Sequence, residues 1–149
     1  MQAVRRWFSV LAGTALGLVA ALALTRGREW LDWRYGPWID RWGGYSQTAV
    51  AAQIFMEYLL LFILAGVVAA MVATLVAGRR VEVHLGVIGA FLVWLLYVVV
   101  IIRRGDAALV LAVKGFSALL WATGLAGALS GGLLGAGLMQ RPRKDEEEA

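Results

Sequence analysis

Apolar residues gather into four long runs, and the polar positions crowd into the short stretches between them. The runs cover 7–24, 58–77, 83–102 and 115–139. Each approaches the ~20 residues that a helix rising 1.5 Å per residue needs to cross a ~30 Å hydrocarbon core. The predicted fold is therefore all-α, a polytopic integral membrane protein whose four transmembrane helices pack as an antiparallel bundle. The third run is rich in valine and isoleucine, which would favour a strand in water. Inside lipid, every backbone polar group must be satisfied within its own segment, so helix prevails. The second helix is predicted to start near residue 48, ahead of its span. From there to residue 77 it would measure about 45 Å, so it either tilts or stands partly above the bilayer.

Between the first two runs lies an interfacial segment, 25–47. It holds four of the seven tryptophans, Trp30, Trp33, Trp38 and Trp42, interleaved with charges of both signs. Indole and phenol rings favour the membrane–water boundary because an apolar body carries one polar group. Gly36-Pro37 interrupts the segment. The pattern predicts two short helical pieces lying on the bilayer surface and ending at Gly43-Gly44. They offer either an aromatic belt or a surface for a partner. At the other end, 141–149 is basic and then acidic, and is predicted to be a disordered polar tail.

Small residues recur every four positions within the runs: Ser9, Gly13, Gly17 and Ala21, then Ala65, Ala69, Ala73 and Ala77. The last run carries two adjacent rows, Gly127, Gly131, Gly135 and Gly124, Ala128, Gly132, Ala136. Such rows flatten a helix and let another backbone approach. Gly13, Gly17, Gly124, Gly127, Gly131 and Gly135 are the candidate packing residues, toward neighbours in the bundle or toward another copy.

Composition sharpens this picture. Hydrophobic residues make up 61% of the 149 and charged residues 16%, so little chain remains for a soluble domain and 1–149 reads as one membrane domain. The net charge of +4 would raise the question of nucleic acid in a soluble protein. Here the arginines stand in pairs at the span ends, where they suit headgroups, and no nucleic-acid partner is expected. The absence of cysteine excludes thiolate metal sites and cysteine nucleophiles. Ala21-Leu22-Ala23 resembles a signal-cleavage pattern, but the apolar run before it is longer than a usual signal core, so the first span is expected to be retained. Arg5, Arg6, Arg79, Arg80, Arg141, Arg143 and Lys144 fall on one side of the bilayer. Arg26, Arg28, Arg34, Arg41, Arg103, Arg104 and Lys114 fall on the other. The positive-inside rule therefore balances. The signal-like start favours cytoplasmic termini in the cell (plasma) membrane.

Candidate chemistry is sparse. Glu57 is the one acid near the interior of a span, and with Gln53 it forms a candidate ion or proton site. His84 is the only histidine and lies at a membrane boundary, and Glu82 and His84 are too few for a metal site. Ser9, Ser117 and Ser130 lack a histidine base within a motif. No catalytic residues, cofactor or metal are predicted, and the chain is read as non-enzymatic. The expected role is an accessory, anchor or assembly subunit of a larger membrane complex, or a self-associating scaffold. Its partners would be the lipid bilayer and other membrane subunits or further copies of the chain. The alternative is a small oligomeric transporter or channel working through Glu57.

Overall fold

A computed structural model describes residues 2–35, 47–77, 83–103 and 114–139. They form four helices, α1 (Gln2–Tyr35), α2 (Gln47–Ala77), α3 (Val83–Arg103) and α4 (Lys114–Met139). All four are long and apolar enough to cross a membrane, which points to a membrane protein. Neither proline, Pro37 or Pro142, is among the described residues, so none of these four helices loses an internal hydrogen bond to a missing N–H.

The first helix runs well past its apolar stretch. Residues 25–35 continue α1 without a break to Tyr35, where the sequence suggested a separate piece lying on the surface. The local reasons are visible. The Thr25 hydroxyl bonds back to the Ala21 carbonyl at 2.9 Å, and Arg26 pairs with Glu29 one turn on, at 3.6 Å. The strong breaker, Gly36-Pro37, comes only afterwards. The expected second surface piece with Trp38 and Trp42, the Gly43-Gly44 stop and the polar tail 141–149 lie outside the described residues.

Packing has two layers of contact around a central pair. Helix α1 packs on α2 and α3, and α4 packs on the same two helices from another side. The most extensive contact joins α2 to α4. There, a β-carbon added at Gly127 would lie 2.7 Å from the Leu59 carbonyl oxygen, and one at Gly135 would lie 2.8 Å from that of Val67. Gly131 meets the Ile63 carbonyl more closely still. Ascending positions in α4 thus meet ascending positions in α2, and only hydrogen at Cα fits between the backbones. Gly66 returns the contact from α2, with its absent β-carbon 2.6 Å from the Ala128 carbonyl.

The other contacts use the remaining small residues. Gly13 faces Ala69 and Ala73, while Gly17 faces Ala65 and Ala69, so rising positions in α1 meet falling positions in α2. Gly132 faces Val87 and Ala90 on α3, and Gly86 faces Ala136. Phe62, Tyr97, Val93 and Ala128 fill the centre together with Ala21, Ala65 and Ala69. Large apolar side chains point outward along α1 and α4, including Leu11, Leu16, Val19, Leu133, Leu134 and Leu138.

Candidate functional site

Polar side chains from three helices meet at one end of this bundle. Gln53 and Glu57 are four apart on α2 and share a face. Gln53 Nε2 donates to Glu57 Oε1 at 2.7 Å. From α1, Arg28 Nε sits 2.8 Å from Glu57 Oε2. The carboxylate therefore has an amide donor on one oxygen and a guanidinium charge beside the other, the latter an ion pair without hydrogen-bond alignment. Its side chain is 17% exposed, against 41% for Arg28.

A second bond lies beside the first. Thr25, one turn before Arg28, has its hydroxyl 2.8 Å from the Tyr97 phenol of α3. Thr25 already gives its one proton to the Ala21 carbonyl, so Tyr97 is the donor in the pair. Tyr97 is 2% exposed, and its ring meets Phe62 edge-on at 5.2 Å. Tyr58, next to Glu57, packs edge-on against Trp121 of α4 at 6.4 Å between ring centres. All four helices are thus joined near this level, α1 to α2 by charge, α1 to α3 by a hydrogen bond, and α2 to α4 by rings.

The depth of this tier follows from helix geometry. Roughly 30 Å of α2 separates Glu57 from Ala77, which matches the thickness of a bilayer's hydrocarbon core. Glu57 and Arg28 then stand at one edge of an apolar slab. The first turns of α2 and the last turns of α1 extend past it. Chemically, the tier compensates one negative charge with one positive charge and a neutral amide. Among the described residues no three of His, Cys, Asp and Glu come together to hold a metal ion.

The residues singled out in the sequence take distinct places. Gln53 and Glu57 belong to the tier. Gly13 and Gly17 lie against α2, Gly127, Gly131 and Gly135 also lie against α2, and Gly124 sits beneath Phe62 and Trp94. Each of these glycines faces another helix of the same chain. Trp30 and Trp33 are exposed at the outer end of α1. Trp38 and Trp42 are outside the described residues. His84 is exposed at the opposite end.

Sequence reasoning missed Arg28 and Thr25 as members of this tier, whereas Tyr97, a phenol inside the third run that needs a hydrogen-bond partner, finds one in Thr25. A signal was present: Thr25 and Arg28 are three apart and therefore share a face of α1, just as Gln53 and Glu57 share a face of α2. A further link, from the Thr14 hydroxyl to the Gly89 carbonyl at 3.5 Å, ties α1 to α3 nearer the other end. The Trp94 indole N–H is buried without an acceptor among the described residues. Comparison of the chain with protein-family models, with curated proteins and with solved structures finds no match.

Proposed function

We propose that this chain is a four-span protein of the cell membrane, with its helices in an antiparallel bundle and its termini cytoplasmic. It acts without catalysis, as an accessory, anchor or assembly subunit of a larger membrane complex or as a self-associating scaffold. The observation that carries this reading is the use made of the polar side chains near the spans. Arg28 pairs with Glu57, Tyr97 bonds to Thr25 and Thr14 to the Gly89 carbonyl across helix contacts, and Gln53 steadies Glu57 from within α2. In a medium without water, such bonds serve to fix helices in place. The glycine rows face neighbours inside the chain, so a partner would meet the outward faces of α1 and α4 instead. The test is gentle extraction into lipid nanodiscs followed by native mass spectrometry and in-membrane crosslinking. Recurrent partner subunits or defined oligomers support the role, and a strictly monomeric, partner-free protein counts against it.

One observation favours a second reading. Glu57 is a largely covered carboxylate at the edge of a span, the kind of group that binds a proton or cation in small transporters and channels. Proteoliposome flux carried by the wild type and lost in Glu57→Gln would establish that role. Flux unchanged by the substitution would remove it.

A further inference from the structure

Each end of the apolar part of α1 carries an exposed tryptophan. Trp7 near one end is 63% exposed and Trp30 near the other is 55% exposed. About 35 Å of helix separates them, the hydrocarbon thickness plus a few ångströms. The Arg28–Glu57 and Thr25–Tyr97 tier lies just inside Trp30. Beyond it the helix continues to Tyr35, and Trp33 is 80% exposed. Trp30 and Trp33 are three apart and share one side of α1. At 100° per residue both point away from the side on which Arg28 reaches α2. Along the outer end of α1 the charges offset one another: Arg26, Arg28 and Arg34 stand with Glu29 and Asp32 of α1 and Glu57 of α2, while Arg103 of α3 and Lys114 of α4 add positive charge elsewhere at the same end. Arg26 pairs with Glu29 and Arg28 with Glu57. Little net charge remains on this part of α1 to draw anionic lipid to the two indoles, whereas indoles at this height favour the headgroup layer for their own chemistry.

We infer that the outer end of α1 is a charge-balanced aromatic anchor whose Trp30 and Trp33 seat in the headgroup layer of a zwitterionic bilayer. Through the polar tier, that anchor sets the depth of α2 and α3. The inference rests on the membrane-spanning reading, and the test separates the two. Variants keep a single tryptophan, either Trp33 or Trp121, with the other six changed to phenylalanine. Each is reconstituted in phosphatidylcholine vesicles with bromine atoms placed either near the headgroup end or near the methyl end of the acyl chains. The expected result is that shallow bromines quench Trp33 about twofold more strongly than deep ones, as a ring held at the interface requires. Adding phosphatidylglycerol leaves this unchanged. Quenching of Trp121 with no quenching of Trp33 would overturn the anchor while leaving the spans intact, and would place that end in water or under another protein. Quenching of Trp33 only with phosphatidylglycerol present would overturn its charge-balanced character. If neither tryptophan is quenched, the spanning reading fails and the anchor with it.

Discussion

Arg28 Nε lies 2.8 Å from Glu57 Oε2, and this contact joins the outer end of α1 to the first turns of α2. Each member is placed by its own helix, and each has a neighbour that secures it. Gln53 holds the other carboxylate oxygen, and Thr25 pins α1 to Tyr97 one turn away. Removing Arg28 takes the adjacent positive charge away from a largely covered carboxylate. Arg28→Ala and Glu57→Gln should each lower stability by about 1–2 kcal/mol, with the half-exposed arginine keeping the effect at the modest end. A double-mutant cycle measured by steric trapping in bicelles should return a coupling of about 1 kcal/mol. Strict additivity of the two substitutions would show that the contact contributes nothing to the fold.

The close backbone approach of α2 and α4 makes a sharper prediction. A β-carbon at Gly131 would collide with the Ile63 carbonyl, which belongs to a helix backbone and cannot swing aside. Gly131→Ala should therefore push the helices apart and reduce stability by about 2 kcal/mol or more, in the range of overpacked cores. Gly27, in contrast, has nothing within 4 Å of its absent β-carbon. Gly27→Ala should raise stability by up to about 1 kcal/mol through helix propensity alone. Thermal melts in one detergent compare the pair. Equal responses at the two positions would mean that the seam is looser than the geometry indicates.

Two aromatic residues in α3 test how a buried polar group behaves when it has a partner and when it lacks one. Tyr97 donates to Thr25, whereas the Trp94 indole N–H is covered and has no acceptor among the described residues. Tyr97→Phe should lose about 0.5–1.5 kcal/mol, the usual net value of such a bond. Trp94→Phe removes an unpaired donor together with some ring area, so the two effects oppose and the change should stay within about 1 kcal/mol of zero. Differential scanning calorimetry of both variants decides the matter. A larger loss at Trp94 than at Tyr97 would show that the indole N–H is satisfied in the membrane.

The spans were legible because helix length against bilayer thickness is a one-dimensional property. The run 83–102 became α3 (Val83–Arg103) and the run 115–139 became α4 (Lys114–Met139). The early start of α2 was legible too, because Ser46 or Thr48 can cap a helix well ahead of the apolar run that begins at Tyr58. The small-residue rows could be seen, but which neighbour each row serves could not. Gly127 and Gly132 look alike in sequence, yet one faces Leu59 of α2 and the other Val87 of α3. The extension of α1 to Tyr35 was hidden because tryptophan, arginine and aspartate suit a surface helix as well as a continuing one. Arg28 found its partner 29 positions away only because two helix overhangs lie side by side, and that is a property of three dimensions. The same holds for Thr25 and Tyr97, which are 72 positions apart.

The lack of cysteine in the native chain allows a direct check of the packing. A β-carbon at Gly89 would lie 4.0 Å from Cβ of Ala69 and make only ordinary contacts with Thr14 and Val10. That separation falls within the ~3.5–4.5 Å between β-carbons that a disulfide accepts. The double variant Ala69→Cys/Gly89→Cys should therefore crosslink α2 to α3 under mild oxidation in the membrane. A protease site placed in the 78–82 connection makes the bond visible, because the two fragments then stay together on a gel until reductant is added. The matched pair Leu75→Cys/Gly89→Cys serves as a control, since Leu75 is 66% exposed and points outward. Fragments that separate without reductant in the first pair would contradict the α2–α3 contact. A disulfide-linked dimer in place of the internal bond would put Ala69 or Gly89 on an outer face, against the burial of both.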